Sequence, residues 1–115
     1  MKLHQGDIIW LDLEPAKGTE TKKRRPCLVV SNDDYNRIFN TVMTVPISMA
    51  KKYFTEEKYK KSPFFVPIDQ EKIHGTALLQ QARTVDPTKR TTSKVKGKLP
   101  ALKMQQISNV LAQFY

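Results

Sequence analysis

Pro26-Cys27-Leu28-Val29-Val30 is an aliphatic run that opens on a proline and stops at Ser31-Asn32-Asp33-Asp34. Small and β-branched apolar side chains suit a pleated strand, and the turn-forming residues that follow mark where it ends. Ile8-Ile9-Trp10-Leu11-Asp12-Leu13 before it and Thr41-Val42-Met43-Thr44-Val45-Pro46-Ile47 after it have the same character. Farther along, Phe64 to Ile68, Gly75 to Leu79 and Gln81 to Val85 read as three more short strands. Pro67 marks an edge or bulge position, because it cannot donate to a ladder. Six short strands predict a mainly β fold, a compact barrel. Helical signals are fewer. Ser31 places a hydroxyl where it can cap a short helix through Ile38, with a carboxylate at Asp34 three positions on. A longer helix is expected from Pro100 to Gln113: proline suits a first turn, and Leu102, Lys103, Ile107, Val110, Leu111 and Phe114 recur at three- and four-residue spacing. It should close one side of the barrel.

The chain has 115 residues, enough for one domain over 1–115. Its net charge is +9, from 20 Lys plus Arg against 11 Asp plus Glu, which favours polyanionic partners such as nucleic acid through counterion release. A merely solubilising surface would carry the same excess, so position has to decide. One cysteine, Cys27, excludes an internal disulfide, suits a reducing compartment, and reads as a buried small hydrophobe. No apolar run approaches the roughly 20 residues of a membrane span, so a cytoplasmic protein is expected.

Two connections are long and charged. Glu14 to Arg25 ends in Lys22-Lys23-Arg24-Arg25, and Ala50 to Pro63 sets Tyr53, Phe54 and Tyr59 among five lysines. Loops of this length are usually functional or mobile. Aromatics among lysines can stack single-stranded bases, or anchor the loop to the domain. His4 precedes the first strand and His74 sits in what reads as the turn Ile73-His74-Gly75; neither has a recognisable partner. Metal ligation is not expected, because two histidines and one cysteine in unrelated segments give no ligand spacing, and no cofactor is implied.

Gly6-Asp7 followed by an apolar strand, Asp12-Leu13-Glu14-Pro15 and Gly18-Thr19-Glu20 together resemble the opening of a MazF/PemK toxin. Arg25-Pro26 resembles that family's Arg-Pro motif, Pro46-Ile47-Ser48 falls where relatives place a Thr or Ser at a strand end, and Gln81-Ala82-Arg83-Thr84-Val85-Asp86 resembles a later Gln-x-Arg-Thr-Ile-Asp signature. The landmarks cover residues 6 to 86. The resemblance implies an SH3-like small barrel of the type shared with the gyrase-poisoning toxin CcdB, a homodimer, a cognate acidic antitoxin, and metal-independent cleavage of single-stranded RNA. Departures exist: Thr21 stands where many relatives have Gln, Ser48 where many have Thr, and Gln80 where an acidic residue is frequent.

On that resemblance Arg25, Ser48 and Glu20 are the catalytic candidates. Attack of a 2′-hydroxyl on phosphorus needs a proton acceptor, a cation for the developing charge and a proton donor. Arg25 suits the cation, since its planar guanidinium binds two phosphate oxygens at once. Read alone, it is one more member of a solvated basic run. Ser48 offers a hydroxyl to a phosphate oxygen, although a strand-end serine more often makes a local backbone bond. Glu20 is an easier acceptor than any arginine, which stays protonated. Lys17, Thr19, Lys22, Lys23, Arg24, Gln81 and Arg83 are expected to contact RNA. A non-catalytic gyrase-binding toxin and a plain nucleic-acid-binding barrel share the architecture and charge. Cleavage in chelator separates them.

Overall fold

In the computed structural model, which describes residues 2–13, 24–70, 72–90 and 94–114, seven strands form one curled antiparallel sheet. They are β1 (Asp7–Asp12), β2 (Arg24–Val29), β3 (Val42–Ser48), β4 (Phe65–Gln70), β5 (Ile73–Leu78), β6 (Arg83–Val85) and β7 (Gly97–Lys98). Their order is β4-β5-β3-β2-β1-β7, with β6 added beside β3. The path ends on β4 and β7, so the sheet is a half-open barrel, and Pro67 lies in an edge strand as expected. All six expected strands are present with ends moved by a residue or two. β7 was not foreseen; two residues carry no periodic pattern, and only their pairing with Asp7 and Ile8 makes a strand of them.

β3 is the hub. It pairs with β2 through Cys27 opposite Pro46, Leu28 opposite Val45 and Val29 opposite Thr44. Its other edge is shared: β6 takes Val42 to Thr44, and β5 takes Ile47 and Ser48. A single 3-10 turn, Leu79–Gln81, carries the chain from β5 to β6 across the gap. An antiparallel pair containing proline cannot exchange both of its hydrogen bonds. Pro46 therefore suits a non-hydrogen-bonded position opposite Cys27, with its bare nitrogen toward that gap.

Alternation along the strands splits the interior into two cores. On one face, Ile8, Leu28, Val45, Ile47, Ile73 and Ala77 pack with Leu99, Met104 and Ile107, which belong to or precede α5 (Ala101–Leu111). On the other, Ile9, Leu11, Leu13, Cys27, Val29, Val42 and Val85 pack with Leu3. The C-terminal helix covers the first face as expected, through Ile107 with Val110 and Leu111 packed against the core, but its first turn is phased differently: Leu102 is 83% exposed, and Met104 is buried in its place. Leu102 lies about 200° of helical rotation from Met104, on the opposite side of the cylinder.

The first helix, α1 (Asp33–Ile38), is capped by Asn32, whose side chain accepts the Tyr35 N–H at 2.8 Å, and not by Ser31. Ser31 is buried, and its hydroxyl accepts the Met43 N–H at 2.9 Å, tying the helix start to β3. The segment expected as an open loop from Ala50 to Pro63 contains two one-turn helices, α2 (Lys52–Thr55) and α3 (Glu57–Lys60). A further turn, α4 (Pro87–Arg90), follows Asp86, whose carboxylate accepts the Thr88 N–H and hydroxyl and is held below the usual carboxylate range mainly by that hydroxyl. No described helix is long and apolar enough to cross a membrane.

Candidate functional site

Arg25 and Ser48 come together through strand register. Cys27 faces Pro46 across the β2–β3 ladder, and Arg25 stands two residues before the one as Ser48 stands two residues after the other. Side chains alternate, so both belong to the face away from α5, at the end where the two strands part. Arg25 is half-buried opposite Leu11. Its Nε is buried, and among the described residues only it and Thr76 Oγ1 are buried side-chain polar atoms without a hydrogen-bond partner. A buried donor left unpaired is costly, so a cationic one at a strand end suits an anionic guest. The Ser48 Oγ accepts the Ala50 N–H at 3.2 Å, which leaves its own proton to donate. In β5, Thr76 pairs directly with Ser48 and Gly75 packs against the Ser48 carbonyl.

The same face continues into a groove of about 490 Å³, within the ~300–1,000 Å³ usual for ligand sites. Pro46, Leu13 and Ala82 form its apolar part, Tyr53, Tyr59 and Phe65 an aromatic wall, and Lys52, Gln80, Gln81 and Arg83 its polar rim. The rings pack on one another: Tyr53–Tyr59 4.8 Å edge-to-face, Tyr59–Phe65 4.8 Å edge-to-face and Tyr53–Phe65 5.5 Å stacked. Tyr53 and Tyr59 thus brace their segment on β4, as the anchoring reading expects, while still bordering the groove. Phe54 is exposed and outside this cluster. The Lys52 ammonium lies 5.2 Å from the Tyr53 ring centre, a cation–π contact at the rim.

Gln81 lies in the 3-10 turn and not on a strand, while Arg83 begins β6 opposite Thr44. Burial pushes the Cys27 thiol up to about 12, only partly opposed by the nearby Arg83 charge, so the thiol stays protonated and inert. Arg24 is separated from Arg25 by the strand's alternation and lies 6.0 Å over Trp10, on the other face. Lys17, Thr19, Glu20, Lys22 and Lys23 lie outside the described residues. His74 sits within β5 and pairs with Asp69 across the hairpin, not in a turn; His4 Nδ1 is 3.2 Å from Asp33. Both histidines therefore have partners, both pairs are exposed, and neither borders the groove. Among the described residues no three His, Cys, Asp or Glu side chains converge. Phe65 and Gln80 were not singled out from sequence as groove residues, because only the β4–β5 register and the turn after β5 gather them.

A half-open sheet with a helix on one face and a groove rimmed by cations and aromatic rings on the other defines a small β domain with one open, basic face. The chain belongs to the PemK-like, MazF-like toxin family of type II toxin-antitoxin systems, whose profile matches residues 4–115. It is 31% identical over 80 residues to the endoribonuclease toxin MazF of Escherichia coli (strain K12), covering 70% of this chain and 65% of that protein, so it spans just under two thirds of that relative's length. Against the endoribonuclease EndoA of Bacillus subtilis (strain 168) it is 32% identical over 99 residues, covering 83% of this chain and 79% of that one. The crystal structure of MazF from Deinococcus radiodurans shares the fold with a TM-score of 0.80 at 23% identity, over 99% of this chain and 96% of that chain. The MazE-MazF complex from the same organism matches over the same shares at 0.74 and 23% identity.

Proposed function

We propose that this chain is an endoribonuclease toxin that cuts single-stranded RNA by attack of a 2′-hydroxyl on the adjacent phosphorus, with no metal. The observation that carries the reading is the buried Nε of Arg25, without a partner among the described residues, on the same face and at the same strand end as the Ser48 hydroxyl. Arg25 presents its guanidinium to two non-bridging oxygens and meets the charge that grows as the phosphorane forms. Ser48 donates a hydrogen bond to a non-bridging oxygen of the same phosphate, and the departing 5′-oxygen takes its proton from solvent. Glu20, in the connection that leads to Arg25, takes the 2′-hydroxyl proton; the described groove walls contain no carboxylate. DNA is not a substrate, since the nucleophile is the 2′-hydroxyl itself.

The groove supports a single-stranded substrate. Its aromatic wall suits unstacked bases, its cations suit phosphates, and Gln81 and Arg83 suit base edges or backbone. Lys17, Thr19, Lys22 and Lys23 extend the grip, whereas Arg24, expected to join them, lies over Trp10 on the other face. The +9 charge and the MazE complex of the Deinococcus relative support an acidic antitoxin segment lying along this groove in competition with RNA. The toxin works in the cytoplasm as a homodimer, for which exposed Ile38, Phe39 and Met43 offer apolar surface. The test is incubation with a long single-stranded RNA, and with DNA of the same sequence, in excess EDTA. RNA fragments ending in a cyclic phosphate and a 5′-hydroxyl, with DNA intact, are expected. Activity lost in chelator and regained with a divalent cation would overturn the metal-free mechanism.

A further inference from the structure

Thr76 is 1% exposed, and its hydroxyl has no hydrogen-bond partner among the described residues. In the sheet it stands in a row between Pro67 of β4 and Ser48 of β3. Proline offers no side-chain donor or acceptor, so Ser48 is the hydroxyl-bearing neighbour in that row. Directly opposed residues of an antiparallel pair have Cβ atoms about 4.5–5.5 Å apart, within reach of a hydroxyl–hydroxyl bond once the rotamers turn toward each other. We propose that Thr76 is a positioning residue for Ser48: with RNA bound, its hydroxyl donates to the Ser48 Oγ and aims the Ser48 proton at the scissile phosphate.

The hydroxyl inventory explains why this matters. A serine oxygen has two lone pairs and one proton. The Ala50 N–H occupies one lone pair. A Thr76 O–H on the second leaves the Ser48 proton as the sole remaining direction of bonding, and it polarises that proton, because chained hydrogen bonds strengthen one another. Serine needs such help, since it has no γ-methyl to restrict its rotamer. Gly75 completes the device. A Cβ there would lie 2.6 Å from the Ser48 carbonyl oxygen and 2.8 Å from Ile47 Cγ2, so only glycine lets β5 approach β3 this closely beside the pair.

The inference rests on the reading of Ser48 as the donor to phosphate, and the experiment separates the two. Thr76→Val, Thr76→Ser, Ser48→Ala and the Thr76→Val/Ser48→Ala double variant are compared in single-turnover and steady-state cleavage of single-stranded RNA, together with thermal unfolding. Thr76→Val keeps the shape and removes only an unsatisfied hydroxyl. It should lower kcat about tenfold, the worth of one neutral hydrogen bond, while KM holds and Tm stays level or rises. Thr76→Ser should restore most of the lost turnover. In the Ser48→Ala background Thr76→Val should cost nothing further. Full kcat in Thr76→Val while Ser48→Ala is impaired overturns the relay alone. The same tenfold loss in both backgrounds, or a loss that tracks a fall in Tm and that serine does not rescue, also overturns it. An unimpaired Ser48→Ala enzyme overturns the donor role itself and the relay with it.

Discussion

Replacing Arg25 by alanine should separate catalysis from binding. Two charge-assisted hydrogen bonds to phosphate oxygens are each worth roughly 1.5–3 kcal/mol, so the transition state loses about 3–6 kcal/mol. At about 1.36 kcal/mol per decade, that is on the order of 10² to 10⁴ in kcat. Ground-state affinity changes far less, because Lys52 and Arg83 still line the groove. The dissociation constant should rise less than about tenfold, and the salt slope should fall by roughly 0.7, as expected for one phosphate contact to a single strand. Folding should hardly notice, since the side chain is half-buried and its Nε has no partner among the described residues. Arg25→Lys keeps the charge but loses the fork, and should recover about a tenth of wild-type turnover at most. Single-turnover cleavage of a 5′-labelled single-stranded RNA gives the rate, and fluorescence anisotropy in a Ser48→Ala background gives the affinity. Wild-type turnover in Arg25→Ala, or a loss of affinity as large as the loss of rate, would refute the assignment of Arg25 to the transition state.

Arg83→Ala should weaken RNA binding several-fold at low salt, with a smaller salt slope and a kcat at saturating RNA reduced much less than in Arg25→Ala; a kcat effect matching that of Arg25 would move Arg83 into the reaction. Ile107→Ala should cost about 2–5 kcal/mol of stability, and Leu102→Ala less than about 0.5, since Ile107 is fully buried and Leu102 is 83% exposed; equal unfolding midpoints in urea would contradict the helix orientation. Cys27 should resist alkylation at pH 8 in folded protein and react on unfolding. The folded thiol sits at about 12 against 9.0 for its ordinary value, so its contribution to stability is complete below pH 9 and is lost as pH rises from 9 toward 12. Cys27→Ala should flatten that alkaline decline, and an unchanged pH profile would count against it.

What sequence made legible was whatever depends on short-range pattern. The strands at Ile8, Pro26 and Thr41 announce themselves by β-branched runs between turn residues, and the cysteine buried in one of them follows from its neighbours. Strand alternation alone separates Arg24 from Arg25. Other features depend on partners distant in the chain. Phe65 meets Tyr53 only because β4 folds back on β5, and His74 extends a strand instead of a turn because Asp69 lies across from it. Ser48 and Thr76 are 28 residues apart and become neighbours only through the β3–β5 ladder. Leu102 fooled the helical pattern because an apolar residue in the first turn fits the spacing from either side, while the stripe through Ile107, Val110 and Leu111 that the spacing did find reaches the sheet together with Met104.

The strand with most neighbours also carries Ser48, the hydroxyl proposed to meet the phosphate. β3 is gripped along one edge by β2 and along the other by β5 and β6, so amides in its middle should be among the last in the molecule to exchange with solvent. The aromatic and polar rim of the groove sits elsewhere, on two one-turn helices secured by a few rings and on the turn between β5 and β6. The proposed reactive hydroxyl and the groove rim therefore have separate mechanical supports. On the proposed function, substitutions in the Lys52 to Lys60 segment should alter which RNA sequences are cut at little cost to turnover, whereas almost any change in β3 should put folding and cleavage at stake together.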